Sequence, residues 1–426
     1  MSAEVRRPQI AIIGAGPSGC YTAQALIREL PDAEITVFDA MPVPYGLVRH
    51  GVAADHQGTK SVSKQFARLF ERDGVRFVGG IEIGGHVDLA TLRTAFDAIV
   101  LAHGLHADKP LEVPGADLDG VVGAGRITRL LNGHAGEERP APSLGSSVAV
   151  IGMGNVAMDI TRLLAKTSAD LIGSDIDDDA HRDLANDIRS IHLIGRSDPV
   201  DAKFDAVMAR ELLHIPGVEH VVHDVDRGSH DQLDARSVVV RELARSKPPQ
   251  AARVRIDWWF GHVPERITGS GRVTGIDIAS IDSGIVTSIP VQSVIPAIGF
   301  TATSSQRLVD VPAEAGDSGR IEAGLYVAGW ARRGPRGTIA SHRTESKQLA
   351  KLIAGDIRQS SGRPGTRALH EYLRDTTTYD DWLRVDQHET ARAHDGRVRR
   401  KVTDIAEMRA IAFAGRPTTP TKESVS

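Results

Sequence analysis

The N-terminal part of the chain opens with a short apolar, β-branched run that breaks off on glycine. Gln9–Ile13 reads QIAII and is followed at once by GAGPSG. The next residues, CYTAQALIREL, have the apolar spacing of a helix, and a second apolar run at 35–38 ends on Asp39. A strand that passes through a glycine turn into a helix and then into another strand is a βαβ unit. The pattern therefore predicts a dinucleotide-binding fold at the N-terminus.

The same pattern begins again in the middle of the chain. The run VAVI at 148–151 leads into GMGNVA and a helical segment, and the strand-like SIHLIG follows. A further buried-strand run, LYVAG at 325–329, precedes glycines and another helical segment. We therefore expect an α/β protein with two Rossmann-like dinucleotide-binding domains, the first of them discontinuous. The first domain would comprise 1–105 and 295–426, and the second 106–294.

The first glycine turn has the spacing of a pyrophosphate-binding loop. Such a turn lets backbone N–H groups approach the phosphates, and the helix N-terminus adds a partial positive charge. Asp39, at the end of the next strand, is placed to accept hydrogen bonds from a ribose. A tight turn without a ligand is the alternative. The predicted contacts at this turn are Gly14, Gly16, Pro17, Ser18 and Gly19.

The second turn is the GxGxxA variant, whose small last residue still permits close packing of helix on strand. Its predicted cofactor contacts are Gly152, Gly154, Asn155, Val156 and Ala157. The strand after it ends on Arg196 and carries no carboxylate there. An arginine in that place can bind a 2′-phosphate, which favours NADP over NAD. An exposed arginine with no ligand is the competing interpretation.

Composition excludes several classes of protein. Lys and Arg number 51 against 55 Asp and Glu, so the overall basic excess of a nucleic-acid-binding protein is lacking. Cys20 is the only cysteine, which excludes a redox-active cysteine pair and therefore a disulfide reductase. The sequence has neither the long apolar core of a signal peptide nor a run of membrane-spanning length. We expect no metal site, no membrane partner and a cytoplasmic location.

Several motifs together resemble one family. They are GAGPSG, PVPYGLVRHGVAADH, GMGNVAMD, GWARRGPRGTIASHRTES and, near the C-terminus, YDDWLRVDQHETARAHDGRVRRK. The combination resembles the adrenodoxin-reductase type of ferredoxin–NADP reductase over nearly the whole chain. The resemblance implies that FAD occupies the first domain and NADPH the second. It further implies that single electrons leave to a ferredoxin-type iron–sulfur protein.

The resemblance also implies roles for particular residues. Those expected to lie along the flavin and the nicotinamide are Gly46, Leu47, Val48, Gly329, Trp330, Gly337, Thr338 and Ile339. Trp330 would shield the flavin from water. His56, in VAADH, and Glu211, in ARELL, would handle a proton near the flavin. Considered alone, such a histidine is more often a hydrogen-bonding loop residue, and such a glutamate more often a solvated helix position.

Two departures from the family bear on these expectations. Where the family commonly has paired arginines in a GRRGP-like run, this chain has GRSDP, so Ser197 and Asp198 weaken the expected preference for NADP and leave NAD possible. The segment AKFDAVMAREL, which contains Glu211, also differs from the family's usual one.

The partner and the reaction also have alternatives. Basic positions that could meet an acidic partner are Arg241, Arg245, Lys247 and Arg253, although each of them, taken singly, is more often a solvated surface residue. Rival functions are an NAD(P)H diaphorase or oxidase, a flavin monooxygenase, and a non-catalytic dinucleotide-binding regulator.

Overall fold

The computed structural model describes residues 7–223, 234–303, 308, 315–337, 339–357, 362–394 and 396–416. Its strands, in chain order, are β1 Gln9–Ile13, β2 Glu34–Asp39, β3 Arg76–Gly79, β4 Ala98–Leu101, β5 Ala107–Asp108, β6 Ser147–Ile151, β7 Ser190–Gly195, β8 Val218–His223, β9 Val254–Phe260, β10 His262–Ser270, β11 Arg272–Ser280, β12 Val286–Ile289, β13 Ser293–Pro296, β14 Phe300–Thr301, β15 Arg320–Glu322 and β16 Leu325–Val327.

Among the described residues, helices separate the consecutive strands β1 to β4 and β6 to β9, as a doubly wound fold requires. They are α1 Pro17–Glu29, α2 Leu47–His50, α3 Gln57–Lys60, α4 Val62–Glu71, α5 Leu89–Ala95, α6 Ala124–Leu131, α7 Asn155–Ala165, α8 Asp178–Ala185, α9 Ala206–Leu212, α10 Ala235–Ala244, α11 Ala315–Ser318, α12 Trp330–Arg333, α13 Ile339–Asp356, α14 Tyr379–Ala391 and α15 Ile405–Phe413.

The first sheet combines strands from both ends of the chain. Its order is β15-β16-β4-β1-β2-β3, and all neighbours are parallel except β15 and β16. Helix α13, from the C-terminal third, packs along α1 and buries Leu349 and Ile353 in the core that contains Leu26. The expected discontinuity of the first dinucleotide fold is therefore present in the sheet itself.

The second sheet is built entirely from the middle of the chain. Its order is β13-β6-β7-β9-β8, with every pair parallel. Strands β6 and β13 are almost wholly buried, whereas the edge strand β8 alternates buried and half-buried residues. The antiparallel strands β10, β11 and β12 cover one face, where Ile194 meets Ile276 and Ile278. Strand β13 continues to Pro296 and thus crosses the expected boundary between residues 294 and 295.

The two places where the chain passes between the sheets lie side by side. On its way out the chain forms β5, and on its way back it forms β14. These strands pair antiparallel, with Thr301 opposite Ala107 and Phe300 opposite Asp108. The carboxylate of Asp108 then accepts hydrogen bonds from the N–H groups of Gly125 and Arg126 in α6. The two crossings consequently form one small ribbon anchored to a helix.

Among the residues that the structure describes, no helix is both long enough and apolar enough to cross a membrane.

Candidate functional site

The first glycine turn connects β1 to α1, and two of its three glycines are required by close contacts. Gly14 has φ +110°, and a Cβ there would lie 2.5 Å from the carbonyl oxygen of Ala102. A Cβ on Gly19 would overlap the carbonyl oxygen of Gly14, so helix and strand could not approach as closely. Beside Gly16, by contrast, the space is open. The turn therefore leaves room for a ligand at Gly16, where a pyrophosphate is expected.

Asp39 ends β2 beside this turn and helps to hold it. Its Oδ2 accepts a hydrogen bond from the N–H of Ala15 at 2.7 Å, and its Oδ1 accepts one from Met41 at 2.9 Å. Burial raises the pKa of Asp39 to about 6, although these two backbone hydrogen bonds act in the opposite direction. Each carboxylate oxygen can accept more than one hydrogen bond, so both remain able to bind a ribose hydroxyl.

The loop that precedes and includes α2 lies directly on the first glycine turn. Tyr45 donates its N–H to the carbonyl oxygen of Ala15 at 3.0 Å. A Cβ on Gly46, whose φ is +45°, would be 3.1 Å from Cα of Gly16. Leu47 and Val48 follow in α2, half-buried and buried respectively. The structure thus brings the predicted flavin loop and the predicted pyrophosphate turn into contact.

The C-terminal glycine segment meets the same turn from the other side. Gly329, with φ +65°, lies so close to Ser18 that a Cβ would overlap the hydroxyl oxygen. That hydroxyl is 3.0 Å from Nδ1 of His342, while the N–H of Gly329 donates to Oε1 of Glu345 at 3.0 Å. Burial, followed by the charge of Arg333, lowers the pKa of His342 to about 4, so its imidazole is neutral at pH 7. Neither His342 nor Glu345 was predicted, although both lie in the quoted ASHRTES motif.

Trp330 begins α12 immediately after Gly329. Its ring stacks on Phe300 with the centroids 5.5 Å apart and the planes inclined by 22°. Its buried Nε1 has no hydrogen-bond partner among the described residues. Gly337 follows with φ +86°, and Ile339 begins α13. Thr338, which was predicted to contact the cofactor, lies outside the described residues.

The observed geometry fits FAD at this first turn. The open space at Gly16, the half-buried carboxylate of Asp39 and the unpartnered N–H of Trp330 are the features that a bound pyrophosphate, ribose and polar ring would satisfy.

The second glycine turn, between β6 and α7, repeats the geometry of the first. Gly152 has φ +118°, and a Cβ there would be 2.5 Å from the carbonyl oxygen of Ala297. The space beside Gly154 is open, and Ala157 is fully buried against the sheet. The first two residues of α7 are Asn155 and Val156, at the positive end of the helix. This turn fits a second dinucleotide.

The end of β7 carries the residues expected to distinguish NADP from NAD. Arg196 is exposed directly after the strand, while Ser197 and Asp198 are half-buried. Lys203, which the sequence did not single out as a neighbour of the second turn, is exposed beside it. Its N–H donates to the carbonyl oxygen of Met153 at 3.1 Å. The signal for it was weak, since a single lysine in an irregular segment is usually a surface residue.

His56 and Glu211 come from different halves of the molecule and meet. Nε2 of His56 is 3.1 Å from Oε2 of Glu211, and its Nδ1 is 3.7 Å from Oδ1 of Asp159. His56 precedes α3 in the first half, whereas Glu211 lies in α9 of the second. The two side chains predicted to act together therefore join the two dinucleotide folds.

Arg162 contacts Glu211 and Asp159, the two carboxylates that lie beside His56. Only 1 % of its side chain is exposed, and its guanidinium contacts Asp55, Asp159 at 2.5 Å and Glu211 at 3.1 Å. Burial would raise the pKa of Asp55, but Arg162 and Lys166 hold it below its ordinary value. Burial raises the pKa of Asp159. This network was not predicted, because an arginine in a helix gives no sequence signal of its partners.

Among the described residues, no group of three or more His, Cys, Asp or Glu side chains is arranged to bind a metal ion.

Comparison with known proteins gives consistent relatives. Residues 8–240 match the family described as pyridine nucleotide-disulphide oxidoreductase. The chain is 40% identical to cindoxin reductase of Citrobacter braakii, covering 94% of this chain and 90% of that one. It is 30% identical to the human mitochondrial NADPH:adrenodoxin oxidoreductase, covering 96% and 92%. The structure of Mycobacterium tuberculosis FprA in complex with NADPH superposes with a TM-score of 0.88 at 29% identity, covering 96% and 100%.

The raised pKa of Asp39 predicts a pH dependence of FAD binding. Below about 6 the carboxyl group of the FAD-free protein is protonated, and an ionised carboxylate accepts ribose hydrogen bonds more strongly than a protonated one. FAD affinity of the apoprotein should therefore fall as the pH is lowered through about 6. Quenching of FAD fluorescence during titration measures this. Asp39→Asn should bind FAD more weakly without that pH dependence, and a dependence that survives in Asp39→Asn would contradict the assignment.

Proposed function

Because the chain belongs to the pyridine nucleotide–disulphide oxidoreductase family, and within it to the adrenodoxin-reductase type of ferredoxin–NADP reductases, we propose that it transfers electrons from NADPH through FAD to a ferredoxin-type iron–sulfur protein. The family predicted from the motifs is thereby confirmed. The observation that carries the proposal is the pair of glycine turns on separate parallel sheets, joined by the contact between His56 and Glu211.

FAD, when bound, supplies the acceptor for hydride and releases the two electrons one at a time. The protein's task is to hold and orient the reactants. The backbone at Gly16 and the carboxylate of Asp39 would bind the ADP half of FAD. The loop at Gly46, Leu47 and Val48 would lie along the flavin.

Trp330 would keep water from the place where flavin and nicotinamide meet. Its ring is already fixed by the stack on Phe300, so little conformational entropy is lost when the site fills. Its unpartnered Nε1–H is available to an acceptor on a bound cofactor.

The second turn would bind NADPH. Backbone N–H groups at Gly154 and Asn155 would meet the pyrophosphate, and the exposed Arg196 would meet the 2′-phosphate. NADPH in the complex with Mycobacterium tuberculosis FprA supports this cofactor.

We propose that residues 1–105 and the chain from about 297 onward form the FAD domain and the intervening residues the NADPH domain. We assign β13 to the NADPH domain, because it pairs with β6 in the second sheet, and the chain therefore returns to the FAD domain after this strand.

The family description includes disulfide reductases, but this chain lacks the residues for that reaction. Cys20 is its only cysteine, and burial raises the pKa of its thiol. Its Sγ donates to the carbonyl oxygen of Ala15 at 3.3 Å inside the first glycine turn. A thiol held protonated is a poor nucleophile, and without a second cysteine the chain cannot form the redox-active disulfide of such a reductase.

The partner and the location complete the proposal. A partner with acidic surface would meet the exposed Arg245 and Lys247 after α10 more readily than the half-buried Arg241. Arg253 is less available, because its guanidinium donates to the carbonyl oxygen of Ala165. We place the protein in the cytoplasm, since a chain with one cysteine has no need of an oxidising compartment.

Reduction of cytochrome c through added ferredoxin tests the function directly. With NADPH as donor, turnover should depend on ferredoxin and should nearly vanish when ferredoxin is left out. Turnover that is the same without ferredoxin would identify a diaphorase or oxidase and contradict the proposed partner.

The preference for NADPH should depend on the charge at the end of β7. Arg196→Ala should lower kcat/KM for NADPH roughly 10- to 100-fold, the range for one lost charge-assisted hydrogen bond, and leave that for NADH nearly unchanged. Ser197→Arg should increase the preference. Arg374→Ala, at an exposed arginine of the C-terminal part, is the matched control. Equal losses with NADPH and NADH would show that Arg196 does not bind the 2′-phosphate.

A proton-handling role for His56 predicts a split between two rates. His56→Gln should slow ferredoxin-dependent turnover about 10²-fold, the scale of general acid–base catalysis. Reduction of bound flavin by NADPH, followed by stopped-flow absorbance, should be nearly unchanged, because hydride transfer needs no protein acid. Glu211→Gln should act in the same direction, and His370→Gln, at an exposed histidine, is the control. If both rates fall together, His56 orients the cofactors and does not move a proton.

A further inference from the structure

One residue of the flavin loop has a backbone conformation that its side chain disfavours. Tyr45 has φ +83° and is the only non-glycine residue with positive φ among those that the structure describes. An L-residue with a bulky ring enters this region only when its surroundings hold it there. The contacts of Tyr45 therefore indicate what the loop's conformation depends on.

The side chain of Tyr45 is held by the C-terminal helix α14. Its hydroxyl is 2.8 Å from the hydroxyl of Tyr379, the first residue of that helix. Its ring meets Trp382 edge to face, with the centroids 6.0 Å apart. The Tyr379 hydroxyl donates a hydrogen bond to Oε1 of Glu71 at 3.5 Å. Because its one hydrogen is used there, the Tyr379 oxygen accepts the hydrogen bond from the Tyr45 hydroxyl. All three rings are buried.

A buried ion pair attaches the same helix to the same loop a second time. The guanidinium of Arg49, in α2, is 2.5 Å from the carboxylate of Glu389, and both side chains are almost fully buried. The guanidinium also lies 4.8 Å from the centre of the Trp382 ring. Glu389 in turn accepts the N–H of Val402 at 3.0 Å. Helix α14 thus contacts the loop before and after Gly46.

The other side of the loop faces the first glycine turn. The N–H of Tyr45 donates to Ala15 and Gly46 lies against Gly16, as described above. The loop is therefore enclosed between α14 and the turn where FAD is expected. A shift of Tyr45 toward an ordinary conformation would turn Gly46 away from Gly16.

We infer that Tyr379 and Glu389 are positioning residues for FAD, which act through Tyr45 and Arg49 to hold the flavin loop against the glycine turn. This inference rests on the proposed function, since it requires FAD at the first turn. It adds the C-terminal helix α14, which carries none of the glycine motifs, to the elements on which FAD binding depends.

The dissociation rate of FAD tests the inference. Tyr379→Phe and Tyr45→Phe keep both rings and remove one hydroxyl each. Either change should accelerate release of FAD roughly three- to tenfold, the range for one buried hydrogen bond, followed by the rise in free-flavin fluorescence after dilution. The double variant should release FAD no faster than the more affected single variant, because both changes remove the same contact. Tyr372→Phe, at a tyrosine that is 47% exposed, should have no effect.

A second pair of variants tests the ion pair. Glu389→Gln should also accelerate FAD release and change the visible absorption of the bound flavin, whereas Glu389→Asp should restore part of the wild-type rate. Glu371→Gln, at an exposed glutamate, is the control. The rate of FAD release and the flavin absorption report how the FAD site is positioned. Thermal unfolding of the apoprotein reports separately whether a variant lowers the stability of the fold.

The outcomes are separable from those of the proposed function. If the wild-type protein binds FAD and the single variants release it at the wild-type rate, the inference is wrong and the proposed function stands. Additive acceleration in the double variant would likewise overturn it. If the wild-type protein cannot be reconstituted with FAD, the proposed function itself fails.

Discussion

The close approach of α1 to β1 is the contact on which the first half of the molecule depends. Gly19 packs against the carbonyl oxygen of Gly14 with no space for a side chain between them. That contact directs the N-terminus of α1, with its partial positive charge, toward the open backbone at Gly16. Asp39, the flavin loop and the Gly329 segment then all converge on the same turn. Each brings a different functional group to a place that a single steric contact defines.

The second half repeats this solution and is joined to the first by polar contacts. Gly152 and Gly154 repeat the roles of Gly14 and Gly16, on a sheet of separate strands. Across the junction, the buried guanidinium of Arg162 contacts Asp55 from the first half and Glu211 from the second. A buried guanidinium without its carboxylates would be strongly destabilising, so these charges make one relative placement of the two turns favourable. His56 is held at that junction by Glu211 and by Asp159, both of which Arg162 also contacts.

The two glycine turns and their strands could be predicted from the sequence because local backbone sterics determine them. Gly14 and Gly152 need a positive φ that other residues rarely adopt, and that need is visible as a motif. Long-range contacts left no such signal. The pairing of β5 with β14 involves strands of two residues each, too short for any periodicity. Similarly, the strain at Tyr45 depends on a helix more than 300 residues away in the chain, as does the hydrogen bond between Tyr45 and Tyr379. His56 and Glu211 came from the family resemblance, while Arg162, between them, did not.

The strands of the first sheet come from both ends of the chain, so during translation they become available at very different times. Strand β4 needs β16 as its neighbour, and α1 needs α13, yet more than 200 residues, most of them belonging to the other half, are translated between β4 and β16. A nascent chain that ends within the second sheet would expose the edge of β4 and the apolar face of α1. Unpaired strand edges of this kind are sites of aggregation. The second sheet can therefore be completed while the first still lacks β15 and β16, and translation that stops early leaves the first sheet incomplete.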